Sequence, residues 1–418
     1  MKTTALLLAL AATLHAAPPE PKFRAVTIDD AIQIGYGVAV ADVDGDKWPD
    51  ILLADKKQFV WYRNPGPPKP NATEPAPAPW DKFILAENLT EHDNVCLAAQ
   101  DIDGDGKCEI AVGAEWNPGD TVNSGAVFYL IPPADRTQKW EPVKFPNVEP
   151  TTHRMKWLKL EDGKWGLVVV PLHGRGNKNG EGPAVKVICY RKPADVRAEW
   201  GTEVIDESMH MTHNFHLTAK WHKAMDDEIL FAGKEGVALA SPRLMSSSVL
   251  KAAAKAGEEM SGAGEIRDGW LVEKGWPWSQ DKRWLFYATI EPMHGNRLVV
   301  TPQGPLANRG DLPKRHVLTD KLIEGHALAC GDLLDVKSDQ IVVGWRGNPL
   351  NPANNTGVHV WTPLDGLGKE WRDSAVDDGG MACEDLVLAD LNGDGKLDII
   401  ASGRATHNVK IYFNETPR

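Results

Sequence analysis

Three segments of the chain share one pattern of apolar and polar positions: residues 38–53 (VAVADVDGDKWPDILL), 95–112 (VCLAAQDIDGDGKCEIAV) and 386–400 (LVLADLNGDGKLDII). Each alternates apolar and small residues, turns through an acidic, glycine-containing loop, and resumes an apolar run. That pattern predicts strand, tight loop, strand. Asp42 and Asp101 stand 59 residues apart, and the 289 residues from Asp101 to Asp390 divide into five further steps of about 58. Weaker copies lie where this spacing puts them, at 155–170, 217–231, 284–290 and 328–343. The pattern therefore predicts seven repeats.

Later elements recur as well. Third strands are predicted at 59–62, 126–130, 185–190, 297–300, 358–361 and 409–413, and fourth strands at 83–85, 204–205, 270–272 and 317–318. Four strands in each of seven repeats describe an all-β, seven-bladed β-propeller. The seventh repeat ends after its third strand, while residues 23–28 (FRAVTI) read as a strand preceding the first repeat. An N-terminal strand completing the last blade closes the ring and removes an open edge. Two stretches interrupt the pattern. Residues 64–79, rich in Pro and Ala, predict a stiff surface loop. Residues 246–260 (SSSVLKAAAKAGEEM) have helix-forming composition behind a serine cap, which predicts a short helical insertion in the fourth blade.

Composition sets the compartment and excludes some partners. Lys2, an apolar run over 5–14 and His15-Ala16-Ala17 have the form of a secretory signal peptide, with cleavage near Ala16 or Ala17. Residues 1–17 are thus expected to be a signal peptide and 18–418 a single propeller domain, secreted or periplasmic. No stretch approaches the ~18 apolar residues of a membrane span. With 46 Lys+Arg against 58 Asp+Glu the net charge is −12, which argues against nucleic acid or an anionic membrane surface as partner. Cys96, Cys108, Cys189, Cys330 and Cys383 are odd in number and irregularly spaced, so they predict buried thiols rather than a disulfide framework or zinc ribbon. Nothing in the pattern sets an oligomeric state.

The acidic loops carry the first candidate chemistry. Asp42, Asp44, Asp46 and Asp50 occupy loop positions 1, 3, 5 and 9, as do Asp101, Asp103, Asp105 and Glu109, and Asp390, Asn392, Asp394 and Asp398. Several hard oxygen donors in a short loop suit Ca²⁺, which takes about 6–8 oxygens. An EF-hand needs a carboxylate at position 12, where Leu53, Val112 and Ala401 stand instead. A metal-free polar turn is the alternative, opposed by repulsion among the carboxylates. The sixth repeat keeps Asp332, Asp335 and Asp339 but is one residue short, so no ion is expected there. On these residues the repeat resembles the FG-GAP/VCBS family of propeller repeats over essentially all of the chain beyond the signal peptide. The resemblance implies that the acidic loops join strands one and two on one face of the ring. It implies little about function, because the same repeats serve adhesion receptors and enzymes.

Seven of the twelve histidines beyond the signal peptide fall in loops assigned to the opposite face. His92, His153, His213 and His326 stand where first strands begin, and His173, His294 and His407 in loops between strands two and three. Arg154, Arg175, Lys234, Glu235, Glu291, Arg346 and Glu384 occupy comparable places, and Trp116, Asn117 and Trp345 join the rim. Singly, each histidine reads as a hydrogen-bonded structural residue. Together they predict a ring of imidazoles at one channel mouth, able to bind Zn²⁺ or a similar ion or to exchange protons near neutral pH. The preferred cluster is His153, His213, His294 and His326, from adjoining blades three to six.

The segments HRMKW, PLHGRG, THNF, EPMHGN, GHALACGD and VVGWRGN resemble the propeller portion of the aldos-2-ulose dehydratases, lyases that dehydrate keto-sugars such as 1,5-anhydrofructose. Those enzymes carry an additional cupin portion for which this chain has no length left, so a second, isomerising activity is not implied. The resemblance implies a metal- and histidine-assisted β-elimination on a small oxidised sugar or 3-keto-glycoside. His153 or His213 would be base, and Arg154, Arg175 or Arg346 would clamp carbonyl or hydroxyl groups, with His92, Trp116, Asn117, His173, Glu291 and Glu384 at the substrate. A non-catalytic, Ca²⁺-stiffened propeller that binds a glycan or protein is the principal alternative. A polysaccharide lyase or hydrolase is a third; hydrolysis wants two facing carboxyls, for which Glu235, Glu291 and Glu384 are the candidates.

Overall fold

The computed structural model describes residues 17–66, 79–146, 148–160, 162–218, 228–241, 246–250, 262–275, 280–306, 308–309, 315–348 and 355–418. The expected signal peptide lies outside them, save Ala17, as does most of the proline-rich loop.

Seven antiparallel sheets of four strands make up the described chain. Their innermost strands are Gly37–Ala41, Cys96–Gln100, Thr152–Lys159, Thr212–Leu217, Glu265–Glu273, Gly325–Gly331 and Cys383–Ala389. Each touches the innermost strand of the blade before and after it, and the last touches the first, so the ring closes. Both faces of a blade are buried against neighbours. Met155 and Trp157 pack with Val95, Cys96 and Tyr129 of blade two, while Val168 and Val170 pack with Phe215 and Phe231 of blade four. Second strands are accordingly buried at every position, as in Asp50–Ala54, Glu109–Ala114 and Ile229–Gly233, and apolar apart from the acidic residue that opens the first two.

Phe23–Asp29 pairs with the last strand, Asn408–Asn414, from Phe23 opposite Asn414 to Asp29 opposite Val409. The seventh blade is therefore built from both ends of the chain. Recurring side-chain bonds tie blades together. Asp50 accepts the amides of Val43 and Asn64, and Asp398 those of Leu391 and Asn414. Asn64 and Asn414 then donate Nδ2–H to the carbonyls of Leu391 and Leu333 in the preceding blade. All five cysteines are free thiols, four of them buried.

Two expectations need correction. Residues 246–250 do not begin a helix: Ser246–Leu250 is the fourth strand of blade four, paired with Gly236–Ser241. Completing the blade edge outweighs helix propensity there, and the alanine-rich 251–260 lies outside the described residues. Residues 270–272 are likewise not an outer strand. They belong to Glu265–Glu273, the innermost strand of blade five, which pairs without interruption with Lys282–Glu291. The segment 284–290 is thus a single second strand, and the fifth repeat begins earlier than its spacing suggests.

Removing residues 17–29 strips three partly buried side chains (Phe23, Val26, Ile28) and a strand ladder from blade seven. The expected loss is on the order of 3–5 kcal/mol, read as a lower urea midpoint. An unchanged midpoint would show that closure does not depend on this strand.

Candidate functional site

The inner strands of blades three, four, six and seven share a local irregularity. Register shifts between Thr152 and Arg154, Thr212 and Asn214, Gly325 and Ala327, and Cys383 and Asp385. The residues set in these bulges are His153, His213, His326 and Glu384. A bulge re-aims its side chain away from the strand's regular alternation, and all four lie at the start of their strand, the end away from the loop that leads to the second strand.

The imidazoles are then oriented from blade to blade. Nδ1 of His153 lies 2.7 Å from the carbonyl oxygen of His213, Nδ1 of His213 2.8 Å from that of Gly264, and Nδ1 of His326 2.5 Å from that of Glu384. A carbonyl only accepts, so each Nδ1 carries the proton and each Nε2 keeps its lone pair. Gly264 permits the close approach, since a Cβ there would meet the His294 amide at 3.1 Å. His294 comes over the cluster from the loop between strands two and three, in the left-handed region at φ 51°. Its Nε2 lies 2.7 Å from Nε2 of His213. Ring centroids of His213, His294 and His326 are 4.6–4.9 Å apart, and one nitrogen from each lies within 4.8 Å of the others. His153 sits 4.8 Å from His213 and stacks on Trp116 at 4.9 Å.

Burial keeps these rings neutral. It pushes His213 down to about 3, helped by the Arg154 charge, and holds His153 and His326 well below the ordinary range, helped by Arg154 and Arg346 respectively. Desolvation on the inner side, then His213, lowers His294, although its outer side is open to solvent. His213 and His326, each with a carbonyl partner on Nδ1, and His294 beside them bring one nitrogen apiece together, a set that suits a divalent ion of the zinc type.

Charged groups surround the cluster. Glu384, 1% exposed, takes a two-point bond from Arg346 at 2.6 and 2.8 Å, with Arg404 at 3.3 Å. Asn214 donates to both oxygens of buried Glu265, which also lies 3.3 Å from Arg267. Deeper in the ring, Nε2 of His216 lies 2.6 Å from Asp268, and burial, then Arg267, brings Lys156 down to about 8.

The structure thus gathers His153, His213, His294, His326, Trp116, Arg154, Arg346 and Glu384. The other rim candidates stand elsewhere because nearer partners hold them. His92 pairs with Glu115 at 2.6 Å, His407 with the Gln33 carbonyl, and Arg175 with the carbonyls of Val122 and Val148. Glu291 is committed to Arg315 and Thr289, His173 is fixed in its turn by Thr151, and Asn117 closes a turn onto Gly119. Lys234 bonds the Asn179 carbonyl, Glu235 pairs with His210, and Trp345 bonds the Asn355 carbonyl. Sequence reasoning missed Asn214, Glu265, Arg267, Lys156 and Asp385. The available signal was polar residues alternating through inner strands (THRMK, THNFH, EIRD, CED) where other blades have small apolar ones.

At the opposite face, Asp42, Asp44 and Asp50 gather, as do Asp101, Asp103 and Glu109, each set within 4.8 Å. Burial raises Asp50 and Glu109 to about 7 and Asp398 to about 6. Asp46 and Asp105 stand outside these trios and accept the amides of Trp48 and Lys107, and among the described residues no such trio forms in the 390–398 loop. That loop is held by amides accepted at Asp390 from Gly393 and Gly395.

Residues 42–112 match the FG-GAP-like repeat. No curated protein matches the chain. Among solved structures it is similar to Sqt1 of Saccharomyces cerevisiae (TM-score 0.53, 9% identity, 96% of this chain and 100% of that one). It is also similar to the PQQ domain of pyranose dehydrogenase from Coprinopsis cinerea (0.44, 11%, 93% and 95%). A third likeness is to the extracellular domain of a B. thetaiotaomicron protein described as a one-component system (0.49, 9%, 93% and 39%). At these identities the likeness is one of fold alone.

The neutral imidazoles predict an acid-sensitive fold. Below about pH 6.5 the unfolded chain binds a proton that buried His213 refuses until about pH 3, so the His213 contribution to stability is full above 6.5 and falls as pH drops. The melting temperature of His213→Gln should therefore decline less between pH 6.5 and 4 than that of the unaltered protein. Parallel declines would place the pH dependence elsewhere.

Proposed function

We propose that the protein is an exported carbon–oxygen lyase that carries out β-elimination on an oxidised sugar, a keto-sugar or 3-keto-glycoside, at the His153–His213–His294–His326 cluster. The single observation that carries this reading is the convergence of four neutral imidazoles, three of them with the Nδ1 proton engaged by a carbonyl so that Nε2 is the unprotonated nitrogen. The motif resemblance to keto-sugar dehydratases supports the substrate class.

His213, His294 and His326 would hold a divalent ion. Such an ion supplies Lewis-acid stabilisation of negative charge developing on a substrate oxygen. His153, fixed by the His213 carbonyl and backed by Trp116, is the base. Its Nε2 takes the proton from the carbon beside the carbonyl, a carbon–carbon double bond forms toward the neighbouring carbon, and the bond from that carbon to the departing oxygen breaks. The departing oxygen leaves as water or as a sugar hydroxyl once protonated. Arg346, held flat by Glu384, and Arg154 supply positive charge beside the cluster.

Purified protein is expected to contain about one zinc-like ion per chain and to generate an ultraviolet-absorbing enone from a keto-sugar. His153→Ala should lower the rate by a factor on the order of 10²–10⁴ with an unchanged circular dichroism spectrum. Unchanged turnover removes His153 from the chemistry, and absence of both metal and enone favours a non-catalytic binding propeller.

The acidic loops are assigned a separate, structural role. Ca²⁺ at Asp42, Asp44 and Asp50, and at Asp101, Asp103 and Glu109, would offset the repulsion of these clustered carboxylates. A calcium chelator should lower the melting temperature by several degrees and added Ca²⁺ should restore it, with a smaller response in Asp103→Asn. An identical melt with and without chelator would mean the turns are held by their own amides.

A further inference from the structure

Two other arginines near the cluster have a carboxylate in contact: Arg346 has Glu384, and Arg267 has Glu265 at 3.3 Å. Arg154 does not. It is 9% exposed, its Nη1 donates to its own strand at the His153 carbonyl (3.1 Å), and its Nε is sealed from solvent with no partner. Among the described residues no carboxylate reaches ion-pair distance of its guanidinium. Among the described residues its Nη2 has no hydrogen-bond partner, and unlike Nε it keeps some exposure to solvent.

Two residues further along, on the same face of the strand, stands Lys156. Among the described residues its only close partner is the Phe215 ring, 5.5 Å from Nζ. Asp385, on the inner strand of blade seven, attracts both Arg154 and Lys156, and Glu265 attracts Lys156, but only at longer range and with no ion pair formed. Leaving two cations unpaired inside a ring is costly when nothing compensates them. It is also an unusual use of positive charge in a chain of net charge −12, which as a whole repels anions. The arrangement makes sense when the missing counter-charge arrives with a ligand.

We propose that Arg154 and Lys156 form a carboxylate subsite, so that the oxidised sugar accepted at this mouth is an acidic one, a uronate or a uronate-bearing glycoside. The planar guanidinium matches a planar carboxylate, and the ammonium adds a point charge. This inference rests on the reading of the mouth as a sugar-elimination site and names its substrate. A carboxylate bound here stands beside the four imidazoles. Neutralising it acidifies the proton on the adjacent carbon. Removal of that proton by His153 forms a double bond to the next carbon, whose bond to the departing oxygen breaks, and that oxygen leaves protonated. No oxidant or reductant is consumed.

Calorimetric titration of the full-length protein, metal-free and zinc-supplemented, with galacturonate and glucuronate against galactose and glucose is the test. Uronates should bind and the neutral sugars should not at the same concentrations. Arg154→Gln should weaken uronate binding at least tenfold, and Lys156→Met more mildly, with melting curves confirming that both fold. Neutral sugars binding as well as uronates, wild-type affinity in both variants, or inorganic sulfate competing better than acetate would each overturn the carboxylate subsite. The two readings fail separately. Uronate binding without an unsaturated product sinks the elimination and keeps the subsite; turnover of a neutral keto-sugar untouched by Arg154→Gln does the reverse.

Discussion

The interaction on which the rest depends is the bond from an imidazole Nδ1–H of one blade to a main-chain carbonyl of the next. It occurs from His153 to His213, from His213 to Gly264 and from His326 to Glu384. Each bond does two things at once. It satisfies a carbonyl at the crowded inner end of a blade, where an unpaired polar group would be costly, and it fixes the tautomer that turns Nε2 toward the axis. Bulges make this possible, because only a residue out of regular register can reach sideways to its neighbour. Ring geometry and site chemistry are therefore one feature. A residue that loses the first loses the second.

The electrostatics follow from that arrangement. Arg154 and Arg346 press on rings that are already desolvated, so the imidazoles stay neutral and keep their lone pairs. Glu384 joins the two parts: its main-chain carbonyl orients His326 while its carboxylate flattens Arg346. Replacing it disturbs a guanidinium and a tautomer together. On the opposite face of the ring, the acidic loops of blades one and two gather carboxylates that burial has raised toward neutrality. The two faces concentrate opposite demands, neutral nitrogen donors on one and crowded anionic oxygens on the other.

Much of the fold was legible in the sequence because repeats with tight loops leave a periodic trace. The first, second and seventh repeats, the final pairing of 23–28 with the last strand, and the buried thiols all follow from short-range patterns. The fifth repeat was misplaced because Glu265–Glu273 begins with charged residues and reads as an exposed edge, whereas it faces the axis. Ser246–Leu250 was misread because edge pairing, which depends on a partner strand, overrides local propensity. The four convergent histidines were visible as loop residues at matching places. His92, His173 and His407 matched equally well in sequence, and only their local partners, Glu115, Thr151 and Gln33, separate them.

What linear reading could not give is the asymmetry of the ring. Inner strands of blades one and two are GVAVA and CLAAQ, and blade six contributes GHALACG, with little to offer beyond His326. Blades three, four, five and seven present THRMKWLK, THNFHL, EIRDGWLVE and CEDLVLA. Polar groups thus run down one arc of the axis while small apolar residues line the rest. The mouth thus has one polar wall and one apolar wall. Sevenfold symmetry of the backbone does not impose sevenfold chemistry, and the polar side chains gather on the arc from blade three to blade seven. The unpaired Arg154 and Lys156 open that arc, and the Glu384–Arg346 pair closes it.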